Sequence, residues 1–512
     1  MKRDRIERDD ENHDLMVKDL LSEAKAQAWD MIVIGTGMGG SALGWSLAEA
    51  GWRVLFVEMG RNLTRGRGYR KGYPDPDTPP AEAGRADWLL YEGDRAFRPR
   101  IGMGAGGSSA LYGMVLERLD PLDFATETAF ASLPAEERMA AALPARWPIS
   151  YEEMAPWYEA AEMRLAGRAS TPASPSFENL KATLQQQGAA PYAPALACRA
   201  EPGCEGCQDR LCHSSCKQDA AGAFLEPALD RPNARLLPAT EALHLEASGR
   251  RITAVVVRHR NKEHRLAARH FAVAAGALRT PVLLADSQLP DRSGLLGRCL
   301  MRHAIDVYLL LRRIEGRVAI ESKQIATRAW YRDEAGDKLG VIQGFGWPPP
   351  WEYLAQRPPW SHAARAGRWT GRVYGLIRNR LLIASILEDL PYRENRVWRE
   401  GERIQYHYAL GASERRRRRK LRALTRRLFL PYLPLRSPVP EDRAALGHAC
   451  GTCRFGDDPG ASVLDRYNRF HAMENLTVVD GSFFPTSGGV NPALTIAANA
   501  LRVAGHLRRI GA

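Results

Sequence analysis

The stretch "DMIVIGTGMGGSALGWSLAEAGWRVLFVEMG", residues 30–60, leaves little freedom in how the front of this chain folds. Ile32 to Ile34 form an apolar run of strand character, and Gly35, Gly37 and Gly40 follow as G-x-G-x-x-G. A periodic stretch from Ser41 to Ala50 predicts a helix, and a second apolar run ends at Glu58. Strand, glycine turn, helix and strand in this order make a parallel βαβ unit of Rossmann type. Gly35 permits the tight turn, Gly37 lets backbone approach a pyrophosphate, and Gly40 lets helix lie close on strand. Unpaired N–H groups at the helix N-terminus favour that anion. Glu58, about twenty residues on, stands where a carboxylate accepts the ribose hydroxyls of a dinucleotide. The motif does not distinguish NAD from FAD.

With 512 residues, 45% of them hydrophobic, the chain has material for a large core divided between two lobes. No run of the roughly eighteen uncharged apolar residues that a membrane-spanning helix needs occurs. Residues 1–28 form a charged extension without the apolar segment of a secretory signal. The expected setting is therefore cytoplasmic, with reduced thiols, although export beside a signal-bearing subunit would leave no mark here.

The net charge is +13, and part of it is concentrated in "ASERRRRRKLRALTRRLFLP", residues 412–431. This reads as a helix with Leu421, Leu424 and Leu428 on one face. Two readings compete: a docking face for an anionic membrane surface or an acidic electron-transfer partner, and a solvated helix in an arginine-rich protein. No nucleic-acid-binding motif accompanies the charge, so no nucleic-acid partner is expected.

"CEGCQDRLCHSSCK", residues 204–217, places four of the eight cysteines within thirteen positions. Disulfides fit poorly with a reducing setting. Zinc favours pairs of Cys-x-x-Cys, and only Cys204 and Cys207 have that spacing. Short consecutive loops ending in Cys-x-x-x-Cys are closer to iron–sulfur ligation, with Cys198 a further thiol upstream. All of these stay open, as do merely structural cysteines. A second pair, Cys450 and Cys453, invites a redox-dithiol reading beside a structural one.

Several further segments show a resemblance to the glucose–methanol–choline (GMC) oxidoreductases. "GMGAGGSSALYG" (102–113) resembles the family's second glycine segment, and "WPISYEEMAPWYEAAE" (147–162) its helix-opening W-P motif. "AAGALRTPVLLADS" (274–287), "EDLPYRENRV" (388–397) and "GHACGTCRFG" (447–456) are similar to further signatures. "LTVVDGSFFPTSGGVNPALTIAANALRVA" (476–504) resembles the family's flavin-closing C-terminus and is the most specific match.

The resemblance implies a two-lobed α/β fold: a Rossmann-like FAD-binding domain from 29–140, 222–305 and 440–512, and an antiparallel-sheet substrate domain from 141–200 and 306–439. The cysteine-rich segment 198–217 lies between them. FAD is the implied cofactor, held by Gly35, Gly37, Gly40 and Glu58, by Gly106, Gly107 and Ser108, and by Asp480, Gly481, Asn491 and Pro492. Segment 102–113 lacks histidine, so no covalent histidyl–flavin bond is expected there.

Alcohol oxidation requires a base for the hydroxyl proton and a donor for the developing alkoxide. The resemblance assigns these tasks to His448 and Asn491. His303, in "LMRHA", reads instead as a structural residue at a domain junction. In some bacterial GMC sugar dehydrogenases a similar segment carries a three-iron cluster, which implies Cys207, Cys212 and Cys216 as ligands. Such a cluster would pass electrons to a cytochrome or other subunit, making the protein a dehydrogenase. An oxygen-using oxidase and a zinc-stabilised, non-catalytic binding protein are the rivals. The substrate class is a small alcohol or sugar; five tryptophans between Trp330 and Trp369 suggest an aromatic pocket or lid packing.

Overall fold

The computed structural model describes residues 19–60, 86–165, 174–199, 204, 206–212, 216–314, 319–348, 369–437 and 444–511. The βαβ opening forms the centre of a five-stranded sheet. Its strands are β1 (Trp29–Ile34), β2 (Val54–Val57), β3 (Ala234–Leu237), β4 (Ala268–Val273) and β5 (Leu476–Val478). They are all parallel, in the order β5-β4-β1-β2-β3. A parallel sheet is covered on both faces, which is why β1 and β2 read as apolar runs rather than alternations.

Four helices organise the rest: α1 (Met38–Glu49), α2 (Tyr151–Leu165), α3 (Ala412–Leu428) and α4 (Ala493–Arg509). α1 sits close on the sheet because Gly44 has no side chain; a Cβ there would lie 2.3 Å from the Phe56 ring. α4 crosses α2 at Gly505, where a Cβ would meet Trp157 at 2.4 Å. Trp147, from the W-P motif ahead of α2, is buried and donates to Thr486 Oγ1 at 2.9 Å.

The second large sheet is antiparallel. Its order is Pro434–Arg436, Ala304–Leu310, Leu382–Leu387, Gly340–Gly346, Ala326–Thr327, Pro191–Tyr192. Leu421 and Leu428 of α3 bury their side chains with Leu310, Ile342, Ile383 and Leu387 of this sheet. The α/β class, with a Rossmann-like sheet beside an antiparallel one, is as expected. A smaller sheet pairs Leu90–Glu92 in parallel with Arg403–His407, which ties front and rear parts of the chain together.

α3 uses most of its basic run internally. Arg417 is fully buried, donating to Lys338 O at 2.9 Å, and Arg418 and Arg422 both grip Asp306. Arg416 pairs with Glu137, and Lys420 with Asp333 and Asp337. The run is thus largely a clamp, with Arg419, Arg426 and Arg427 left on the exposed side. No helix among the described residues is long and apolar enough to cross a membrane. Trp330 and Trp347 pack against the antiparallel-sheet core, while Trp351, Trp360 and residues 1–18 lie outside the described residues.

Candidate active site

One cleft of about 920 Å³ is lined by residues from the front, middle and rear of the chain. Gly35, Gly37 and Glu58 line it from the βαβ unit, Gly107 and Ser108 from the second glycine segment. His448, Asp480, Gly481, Asn491 and Pro492 line it from the rear of the chain. Segments more than four hundred residues apart in sequence therefore meet around one space.

The glycines divide by purpose. Gly35 has φ +99°, and a Cβ on it would lie 2.3 Å from Ala274 O. Gly40 is needed for packing, its Cβ position lying 2.2 Å from Gly35 O. Gly106, at φ +86°, turns the second segment so that the Gly107 Cβ position lies 3.0 Å from Gly37 Cα. Gly37 alone of these meets nothing within 4 Å, so its bare backbone faces open cleft at the start of α1. That is the cradle an anionic pyrophosphate requires. At the other end Asn491 Oδ1 is buried without a hydrogen-bond partner, an acceptor waiting for a donor from a bound molecule. These residues fit FAD.

Glu58, at the cleft, is also engaged within the protein. Its carboxylate accepts from Thr36 N (3.0 Å) and Thr36 Oγ1 (2.7 Å) through one oxygen, and from Gly60 N (2.8 Å) and Gly104 N (3.1 Å) through the other. A carboxylate offers about four lone-pair sites, and protein donors take them all. In this geometry Glu58 clamps the glycine turn to the second glycine segment. Asp480 is used similarly, joining Gly276 N (2.9 Å) to Ser482 N (2.8 Å).

His448 faces His303, which in sequence reads as a structural residue. Met301 and Cys450 form an antiparallel bridge, with N–H···O distances of 2.9 and 2.8 Å. Two residues beyond that bridge on each strand, His303 and His448 stand opposite each other, Nδ1 to Nδ1, at 2.9 Å. His303 Nε2 lies 2.8 Å from Gly488 O and 3.2 Å from Ser487 O. Carbonyls only accept, so that nitrogen carries the proton, and burial lowers the His303 pKa and keeps the ring neutral. His303 Nδ1 must then accept, and His448 Nδ1 must donate to it. These bonds assign the tautomer of His448: its Nε2 bears the lone pair. Burial, and secondarily His303, pushes the His448 pKa down to about 3.

A buried polar layer supports this pair. His303 itself is held at φ +62°, a left-handed backbone. Asp389 braces it by accepting from Arg302 N (2.7 Å), His303 N (3.1 Å), Tyr408 Oη (2.7 Å) and Ser487 Oγ (2.8 Å). Glu388 accepts from Gly488 N at 3.0 Å and, with Asp123, forms ion pairs to the fully buried Lys338. Gly489 N donates to Tyr331 Oη at 2.9 Å, and Tyr331 Oη to Asp123 at 2.7 Å. Glu388, Asp389 and Lys338 escaped sequence reasoning. The available signal was an acid pair, "ILEDLP", closing an apolar strand.

All eight cysteines are unbonded. Cys450 and Cys453 are buried, and burial raises both thiol pKa values, which argues against a reactive dithiol. Cys198 Sγ and Cys204 Sγ lie 3.8 Å apart, and Lys217 N reaches Cys212 Sγ at 3.5 Å. Among the described residues no group of three or more His, Cys, Asp or Glu is arranged to hold a metal ion, so Cys207, Cys212 and Cys216 gain no support from geometry as cluster ligands. The segment does back the cleft wall: Asp209 N donates to Leu111 O (2.7 Å) and Lys217 Nζ to Ala110 O (2.8 Å). Lys323, held down to about 7 by burial and then by Lys217, lies behind Gly113.

GMC oxidoreductase family models match residues 145–305 and 432–500. Paromamine 6′-oxidase of Streptomyces fradiae is 30% identical over 93% of this chain and 91% of its own length. The chain belongs to the GMC oxidoreductase family. The 2-methyl-1,2-propanediol dehydrogenase of Mycolicibacterium austroafricanum is 25% identical over 94% of this chain and 96% of its own. The crystal structure of pyridoxine 4-oxidase from Mesorbium loti shares the fold, with a TM-score of 0.64 at 21% identity, covering 94% of this chain and 99% of that one. This GMC oxidoreductase is accordingly a flavoprotein acting on CH–OH groups.

Proposed function

We propose that this GMC oxidoreductase is an FAD-dependent dehydrogenase of an alcohol or sugar, with His448 as the base. The observation that carries the reading is the His303–His448 hydrogen bond at 2.9 Å, which leaves His448 Nε2 unprotonated at the cleft. Bound FAD, held between the Gly37 cradle, Gly107, Ser108 and the start of α4, supplies the hydride acceptor. His448 Nε2 takes the substrate hydroxyl proton, and Asn491 holds the substrate oxygen in line. Burial keeps His448 neutral and therefore ready to accept. The FAD lobe in this reading comprises 29–140, 222–305 and 440–512, and the substrate lobe 141–200 and 306–439.

The proposed electron acceptor is a cytochrome or other electron-transfer subunit rather than oxygen. The cysteine spacing behind the cleft wall is the feature that favours this, although among the described residues its thiols are not arranged to hold a metal ion. Relatives named as an oxidase and as a dehydrogenase leave oxygen as the rival acceptor.

The test is an anaerobic panel of alcohols and sugars scored by flavin bleaching. His448→Ala should retain FAD yet lose about 10²–10⁴-fold in reduction rate. Unchanged reduction in that variant removes His448 from the chemistry. Peroxide released stoichiometrically on adding air assigns an oxidase, and iron-free protein at full activity with its acceptor removes the cluster.

A further inference from the structure

Ten large hydrophobic side chains stand exposed among the described residues, and five are leucines at one end of the antiparallel sheet: Leu311, Leu376, Leu430, Leu433 and Leu435. Backbone bonds gather them. Leu311 N donates to Leu433 O at 3.2 Å, Leu435 pairs with Leu309, and Leu310 N donates to Leu381 O at 2.9 Å, at the end of the turn that follows Leu376. Leu376 is 70% exposed, Leu430 64%, Leu433 54% and Leu435 52%. Leu433 also holds φ +52°, where glycine or asparagine would sit with less strain. Folding gives no reason to keep a leucine there.

Among the described residues the exposed charge around this apron is predominantly basic. Arg312, Arg378, Arg426, Arg427 and Arg436 are exposed beside the leucines. Residues 307–314, 369–381 and 426–437 contain no Asp or Glu. Among the described residues, Asp306 pairs with Arg418 and Arg422 and, at 3.8 Å, with Arg436, and Glu178 pairs with Lys181.

We propose that this leucine–arginine apron docks the protein on an anionic membrane surface. Charge complementarity requires an anionic partner. Protein interfaces anchor on Trp, Tyr and Arg, and leucine is under-represented among their energetic centres. Leucines flanked by guanidinium groups suit the boundary of acyl chains and phosphate headgroups. The surface differs from the clamped residues Arg416–Arg418, and the inference does not depend on the catalytic reading.

The experiment is flotation of the full FAD-loaded chain with vesicles of phosphatidylcholine alone, or with added phosphatidylglycerol. Binding should require phosphatidylglycerol and weaken at high salt. The pair Leu430→Ser/Leu433→Ser should abolish it, and Leu376→Ser should weaken it independently. Arg426→Gln and Arg427→Gln should each reduce binding roughly five-fold. Flavin content and melting temperature of every variant should match the parent. Absence of binding to the anionic vesicles, or binding indifferent to the leucines, overturns the proposal. So does a parent protein that self-associates and becomes monomeric with the leucine pair removed, since the apron then belongs to a second copy.

Discussion

At position 303 a histidine holds a left-handed backbone and, through its ring, sets the proton of another histidine 145 residues away. His303 does not line the cleft, so in the proposed mechanism it is a positioning residue, and its loss should be read in kinetics rather than in cofactor content. His303→Ala should lower the rate of flavin reduction between about 10²- and 10⁴-fold with little change in KM, because His448 loses the acceptor that selects its tautomer. His303→Asn, which can still accept at that position, should recover part of the rate. A change in KM alone would assign His303 to binding. Because the pKa of His448 is pushed down to about 3, its base form persists well below an ordinary imidazole's 6.5. Flavin reduction should therefore stay flat as pH falls from 8 to about 5; an acid limb centred near 6.5 contradicts that assignment. Glu58→Ala tests a different role. It removes the four-donor clamp between the glycine turn and segment 102–113, so flavin content of the purified protein should drop sharply. Full flavin occupancy would show that the clamp is dispensable.

Loop 486–491 and helix α3 show how elements are held. The loop backbone is held from the antiparallel-sheet side by side chains, Glu388 on Gly488 N, Tyr331 on Gly489 N and His303 on the Gly488 carbonyl, and by Val341 N on the Gly489 carbonyl. Two glycines make this possible, since a Cβ on Gly489 would lie 2.6 Å from the Tyr331 ring, and Gly488 has φ +67°. On α3, five consecutive arginines have unequal fates. Arg417→Ala leaves Glu414 buried without its cation and the Lys338 carbonyl without a donor, so it should cost about 3 kcal/mol in urea unfolding. Arg419→Ala, on the exposed face, should stay within about 0.5 kcal/mol. Equal effects would mean that the run acts only through its summed charge.

For the whole molecule, buried titratable groups give stability a signed pH dependence. His448 and His303 are depressed below 6.5, so the unfolded chain binds more protons between that value and about 3. Their contribution is complete above 6.5 and is lost as pH falls through this window. Glu388 is raised from 4.5 to about 7 by burial first, with Asp123 adding to it against Lys338. Its contribution has the opposite sign: present below 4.5 and lost as pH rises through about 7. Between 4.5 and 6.5 the single Glu388 offsets one of the two histidines, so the melting temperature should fall gently as pH drops there and more steeply in stronger acid. His448→Gln should flatten the acid side and Glu388→Gln the neutral side. A melting profile of the same shape in both variants would remove these groups as its cause.

The sequence by itself determined whatever depends on consecutive residues. The G-x-G-x-x-G turn, the apolar runs of a covered parallel sheet and the α4 start at "GGVNPA" are local, because turn dihedrals, strand burial and helix N-termini are set by neighbours along the chain. His448 and Asn491 were legible for the same reason, each lying inside a contiguous motif. Only the tertiary structure decided the relations among distant segments. The Met301–Cys450 bridge puts His303 opposite His448, and the approach of Gly104 turns Glu58 inward. Arg417 is buried while Arg419 is exposed, and three turns carry leucines to one face. Those outcomes follow from which strands pair across hundreds of residues, and periodicity carries no record of that pairing.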